Sequence, residues 1–214
     1  MLLLLMIGVM PKGATTMPKS YGGIVMALEF ARNLPDVRAI LGTSDDPALI
    51  ARISMLQLGT WQDMLFAPAY SAFLCFCAIA LLRMTDWRAL YVVPAFAVIA
   101  ALSDLLENWM LLDVLEAYRT GGLSPWLAKL GWPVGVKFLC LGVAGTLLGI
   151  GTAALDGMWK PLGYTIAILA MPLTLIALIV PQWVAGAMAA GIALGWIILY
   201  VASWRGAYIW YSNR

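Results

Sequence analysis

The sequence predicts an all-α integral membrane protein, an antiparallel bundle of five transmembrane helices with short amphipathic helices on its outer face. Three observations carry this. Hydrophobic residues make up 63% of the 214 and charged residues only 11%, whereas a soluble domain is about half apolar and about a quarter charged. The mean hydropathy is +0.90. Five separate stretches are long and apolar enough for the hydrocarbon layer, which takes about 20 residues of helix. The same numbers exclude a soluble enzyme and a disordered chain. A net charge of +2 gives a nucleic-acid partner no electrostatic support. The chain has no His, which removes His-ligated metals and Ser-His or Cys-His catalysis.

In chain order, residues 1–19 read as an apolar stub and linker. The first ten, MLLLLMIGVM, are too short to span and lack the basic start of a signal peptide. They are expected to be a truncated sixth span or the result of a displaced start. Residues 20–59 are the extramembrane part. A helix over 23–33 places Ile24, Ala27, Leu28 and Ala31 on one stripe, and Pro35 opens a second helix that Gly42 ends. Asp46-Pro47 is an N-cap and first-turn pair opening a third helix over 48–58, with Leu49, Ile50, Ile53 and Leu56 on one face. Such helices lie on the bundle surface with the apolar side inward.

The bundle is read over residues 60–204, with spans at 64–83, 90–112, 133–155, 161–180 and 183–202. Short connections make sequential spans antiparallel neighbours. Gly121-Gly122 stops an extension of the second span, and Ser124-Pro125 starts a short surface helix. Gly145-x-x-x-Gly149 and Gly191-x-x-x-Gly195 predict close helix contacts. Pro172 predicts a kink in a fourth span that carries no charge. Cys75, Cys77 and Cys140 match no metal or redox spacing and read as small packing residues. The Trp and Tyr residues near the span ends, among them Trp61, Trp132, Trp159, Trp183 and Trp204, read as an interfacial belt.

Basic residues set the expected orientation. Arg83, Arg88, Lys160, Arg205 and Arg214 fall on one side of the bundle, against Arg119, Lys129 and, close before the first span, Arg52 on the other. Residues 205–214 are then a cytoplasmic tail and residues 20–59 lie outside, in a bacterial inner membrane.

The densest polar group is Asp104, Glu107 and Asn108, spaced i, i+3, i+4 and so on one face of the second span. Lipid cannot satisfy two carboxylates and an amide, so this face looks into the bundle or into water. Lys137 lies at a matching depth in the third span and is the natural partner of Glu107 or Asp104. One Lys cannot neutralise two acids, so a proton, a cation or another basic group such as Arg32 completes the site. Asp63 reads first as part of a Thr60-x-x-Asp63 capping box and second as part of an outer vestibule with Glu29 and Arg32. Those two are three apart and can equally form a surface pair. No ligand spacing for a metal is matched, and the sequence names no cofactor.

The pieces MALEFARNLPDVRAIL, WQDMLFAPAYSAFL and SDLLENWMLL, over about half the chain, resemble segments of small uncharacterised bacterial polytopic membrane proteins with an Asp-x-x-Glu-Asn span. The matching positions are Glu29, Asp63, Phe66, Tyr70, Asp104, Glu107 and Asn108. The resemblance implies a polytopic fold and no particular activity. A Trp-rich five-helix bundle is also similar in composition to the translocator-protein family, whose motifs are not found here. Three function classes follow. An accessory or structural subunit of a membrane assembly, with lipids and a membrane-protein partner or a second copy around it, predicts a sealed cluster and an apolar flank. An enzyme acting on a lipid or small apolar substrate predicts an open outer vestibule. A small transporter predicts polar residues continuing to the inner side.

Overall fold

A computed structural model of the chain describes residue 21 and residues 23–212, with side chains as far as Trp204. The stub at residues 1–10 lies outside the described residues. Two short helices, α1 (Ile24–Glu29) and α2 (Leu34–Leu41), come first. Asn33 starts α2 by accepting the Asp36 N–H at 2.9 Å, with Pro35 in the first turn. Gly42 ends it at φ +92°, and a Cβ there would stand 2.8 Å from Asp46 Oδ2 and 3.0 Å from Arg52 Nη1. Only glycine suits both the backbone and the space.

The third helix, α3, runs from Leu49 to Thr85. It corrects the sequence reading, which separated a surface helix at 48–58 from a span beginning at 64. The two are one helix of 37 residues. The physical reason is phase: Leu49, Ile53, Leu56, Gly59 and Thr60 are buried, and the buried stripe resumes at Ala67, Tyr70 and Leu74 at the 3.6-residue period. The Thr60-x-x-Asp63 capping box therefore does not form. Thr60 Oγ1 donates within the helix to the Leu56 carbonyl at 2.9 Å.

Asp86 closes α3 in the left-handed conformation, and a 3-10 turn at Arg88–Val92 leads into α4 (Val93–Arg119). The surface helix expected after Ser124 shrinks to the 3-10 turn Leu127–Lys129. Ser124 Oγ accepts the Trp126 N–H at 3.1 Å and donates to Asp113 at 2.5 Å, which fixes a turn in place of a longer helix. Then come α5 (Gly131–Ala153), α6 (Trp159–Ile179) and α7 (Pro181–Ser212). Helical backbone thus runs through most of the segment read as a tail. Among the described residues five helices, α3 to α7, are long and apolar enough to cross a membrane, and the chain is a polytopic membrane protein.

Each long helix packs on the next, and α7 returns to α3, so the bundle closes on itself. Half of the apolar window of α5 is buried, against 28% for α6 and 22% for α7. α5 touches every other long helix. Its tightest contact is with α6. A Cβ on Gly163 would stand 2.2 Å from the Ala153 nitrogen, and one on Gly149 would stand 2.6 Å from that of Ala167. The second glycine pair behaves differently from expectation. A Cβ on Gly191 would meet nothing nearer than Leu173 at 3.5 Å, because Gly191 and Gly195 line an apolar groove between α5, α6 and α7. Trp159 is buried rather than part of a belt, while Trp61, Trp132, Trp183 and Trp204 are exposed. Cys77 and Cys140 are buried and all three cysteines are free.

Two apolar clusters fill the bundle. One joins α1 and α2 to its capped end through Leu28, Val37, Leu41, Ile53, Leu111 and Val134. The other fills the far half with Leu74, Leu81, Val93, Ala97, Ala144 and Leu148. Along α4, Asp104, Glu107 and Asn108 lie between the two, after Ala101 and before Met110, and Lys137 meets them from α5.

Candidate functional site: a charged layer around Lys137

Lys137 stands at the centre. Val134 and Phe138 beside it are apolar and buried, so the chain has no means of solvating the ammonium except with other side chains. It donates to Glu107 Oε1 at 2.9 Å and to Asp104 Oδ1 at 3.2 Å. Glu107 Oε2 lies 2.7 Å and Glu29 Oε1 3.4 Å from the same nitrogen. The Phe138 ring centre is 4.7 Å away, close enough for a cation–π contact. Asp104 and Glu107 reach Lys137 together because their i, i+3 spacing puts them on one face of α4. Glu29 comes from α1, so the ammonium ties the cap to two long helices. All four side chains are withdrawn from solvent, Glu107 at 0% exposure and Lys137 at 5%.

Asp63 joins from α3, where its carboxylate accepts from Asn108 Nδ2 at 3.0 Å. It is half-buried. The i+4 position of Asn108 beside Asp104 and Glu107 thus links a third long helix to the layer. Tyr70, two turns on from Asp63, is buried at 3% exposure, its hydroxyl facing Asp104 without a hydrogen-bond partner in the protein. In the sequence Tyr70 stands out only through the resemblance, and its seven-residue spacing from Asp63 is the signal that puts it on the same face of α3. Burial pushes Glu29 above the usual carboxylate range. Lys137 pulls the other way, and Asp104 and Asp63 add to the rise.

Arg32, one of the alternatives for completing the layer, does not pair with its carboxylates. Its guanidinium donates to the Glu29 and Ala31 carbonyls at 2.8 and 2.7 Å, where it closes the end of α1 and packs against Gly131. The i, i+3 surface pair of Glu29 and Arg32 does not form, because Glu29 turns inward to Lys137. Arg52 is a second buried cation that the sequence reading missed. It is 1% exposed, donates to the Leu41 carbonyl and is paired with Asp46. It belongs to the α2–α3 turn and not to the layer. Among the described residues, no group of three His, Cys, Asp or Glu side chains is arranged to hold a metal ion.

Searches of protein families, curated proteins and solved structures find no match to this chain.

Proposed function

We propose that this chain is an accessory or structural subunit of a membrane assembly, with the charged layer fastening its cap to the bundle. The supporting observation is that the layer is closed on both sides. Leu28, Leu111 and Val134 lie on the capped side, and Tyr70, Ala100, Ala101 and Cys140 on the other. An enzyme at these carboxylates needs substrate access, and Glu107 has none. A carrier needs polar groups below Asp104, and there the filling is Leu74, Ala97, Ala144 and Leu148. The least buried spans, α6 and α7, offer an uncharged flank with Ile168, Leu175, Ile176 and Ile197 outward, which suits a neighbouring membrane chain.

Site-specific photo-cross-linking in native membranes tests this. Probes at Ile168 and Ile176 are expected to give one discrete protein adduct, and a probe at Leu65 on α3 none. Lipid adducts alone at every position would overturn the reading. The excess of basic residues at the far end supports a cytoplasmic position for that end and an outer position for the cap. A reporter fused after Arg214 and active only in the cytoplasm checks it, and activity from a reporter that works only outside would reverse it.

A further inference from the structure

We propose that the layer around Lys137 is a proton-binding centre, which holds at least two protons among Glu29, Asp63, Asp104 and Glu107 at neutral pH and exchanges them with water through Asp63. The inference goes beyond the accessory-subunit reading and does not depend on it.

The first ground is a charge count. The ionisable groups facing the layer are Glu29 of α1, Arg32 beyond it, Asp63 and Tyr70 of α3, Asp104 and Glu107 of α4, and Lys137 of α5. Four carboxylates face one ammonium. Counting the Arg32 guanidinium as well, which is turned to backbone carbonyls, two negative charges remain. Unpaired charge in a low-dielectric interior is removed by protonation. A staple for the cap would need one acid per Lys, so the extra acids exceed a structural requirement.

The second ground starts from a side chain outside the four acids. Tyr70 is buried with an unpartnered hydroxyl aimed at Asp104. Buried polar groups are nearly always paired, so the layer faces a free hydroxyl that can give it a hydrogen bond or take one from a protonated carboxyl. Glu29 Oε2 is also buried without a hydrogen-bond partner, which a neutral carboxyl tolerates at less cost than an ionised one. The ligand is a proton rather than a metal ion, because no metal-holding group of acids is formed among the described residues. Each binding step balances simply: a carboxylate takes a proton from hydronium, and water leaves.

The route follows from Asp63. It is half-buried where the other three acids are closed off. Twenty residues separate it from Arg83, about 30 Å of helix, which is the thickness of the hydrocarbon core. Asp63 therefore sits at the boundary, linked to the layer by Asn108.

Infrared difference spectroscopy of the full chain in detergent tests the proposal. Surface carboxylates are ionised at neutral pH and give no protonated-carboxyl C=O band. The wild type is expected to show such a band, to lose it as pH rises, and to lose about half of it in Glu107→Gln or Asp104→Asn. Lys137→Met should enlarge it, and Glu116→Gln, a surface control, should leave it unchanged. Tyr70→Phe should shift its frequency. Asp63→Asn should slow its response to a pH jump, and an unchanged rate would overturn Asp63 as the route. Absence of the band in the folded wild type, a reading that needs no variant to fold, would overturn the whole proposal. So would displacement of the band by sodium at constant pH, which would assign the layer to a metal cation.

Discussion

Lys137 and its three carboxylates are not equivalent, and the geometry ranks them. Lys137→Met leaves Glu29, Asp104 and Glu107 around an apolar side chain. Breaking a buried pair from one side costs about 3–5 kcal/mol, and this variant is expected at that level in detergent-based thermal unfolding. Glu107→Gln removes one of three acidic contacts and keeps the amide as a hydrogen-bond partner, so its cost is expected near 1–2 kcal/mol, roughly that of a hydrogen bond to a charged group. The double variant should recover part of the Lys137→Met loss. Additive losses would show that the two side chains do not interact. The α4 face and the Lys137 pairing were legible in the sequence because lipid leaves a charge few options. The turn of Glu29 away from Arg32 was not. An i, i+3 pair of opposite charges on a short helix looks complete in itself, and only the packing of α1 over α4 and α5 brings Lys137 within reach of Glu29.

At the scale of elements, helix contacts and turns carry the testable detail. Gly163→Ala puts a methyl group into the Ala153 backbone, so α5 and α6 must separate. Overpacking of this kind costs about 1–3 kcal/mol. Gly191→Leu, in contrast, extends into the groove and should cost under about 0.5 kcal/mol, as a surface substitution does. Thermal unfolding of the two variants side by side decides whether the α5–α6 crossing is the tighter one. The Gly-x-x-x-Gly pattern marked Gly149 correctly but gave Gly191 the same weight, and it missed Gly163, whose partner is on another helix. A pattern within one span cannot say which helix faces it. The α2–α3 turn supplies a pH test. Hydrogen bonds from Arg52 and the Ala48 N–H hold the Asp46 carboxyl below its ordinary value. A depressed acid stabilises the fold above its unfolded pKa, about 4, and that contribution is lost as pH falls through the folded value. Amide protection across 42–52, taken relative to intrinsic exchange at each pH, should therefore fall on acidification below about pH 4, and Asp46→Asn should be weakly protected at every pH. A wild type protected equally at all pH values would show that the ion pair does not hold the turn.

For the whole molecule, the five spans follow from composition alone, because no soluble fold hides so much apolar surface. Helix continuity across residues 59–64 was hidden for the opposite reason. Periodicity reports a face and not a membrane boundary, so the change from surface to span at Trp61 looked like a helix end. The continuous α3 is about 54 Å long at 1.5 Å per residue, well beyond a hydrocarbon core of about 30 Å. Its first turns therefore stand clear of that core, among α1, α2 and the end of α4, and Tyr118 fastens them by donating to the Gly42 carbonyl at 2.5 Å.

The ion pairs of the charged layer also set an order of synthesis. Asp104 and Glu107 emerge from the ribosome on α4, and their cation follows 30 residues after Glu107. A carboxylate at mid-helix opposes insertion by about 2.5–3.5 kcal/mol, so α4 arrives at the insertion machinery as a poor candidate for lipid. It should wait there, held against protein or water, until α5 brings Lys137 alongside and the two enter as a pair. A nascent chain stopped just before Lys137 is then expected to leave α4 open to water-soluble thiol reagents at a cysteine introduced near Leu102, and one stopped after α5 to protect it. Equal protection in both would mean that α4 enters the bilayer unaided, its acids already neutral.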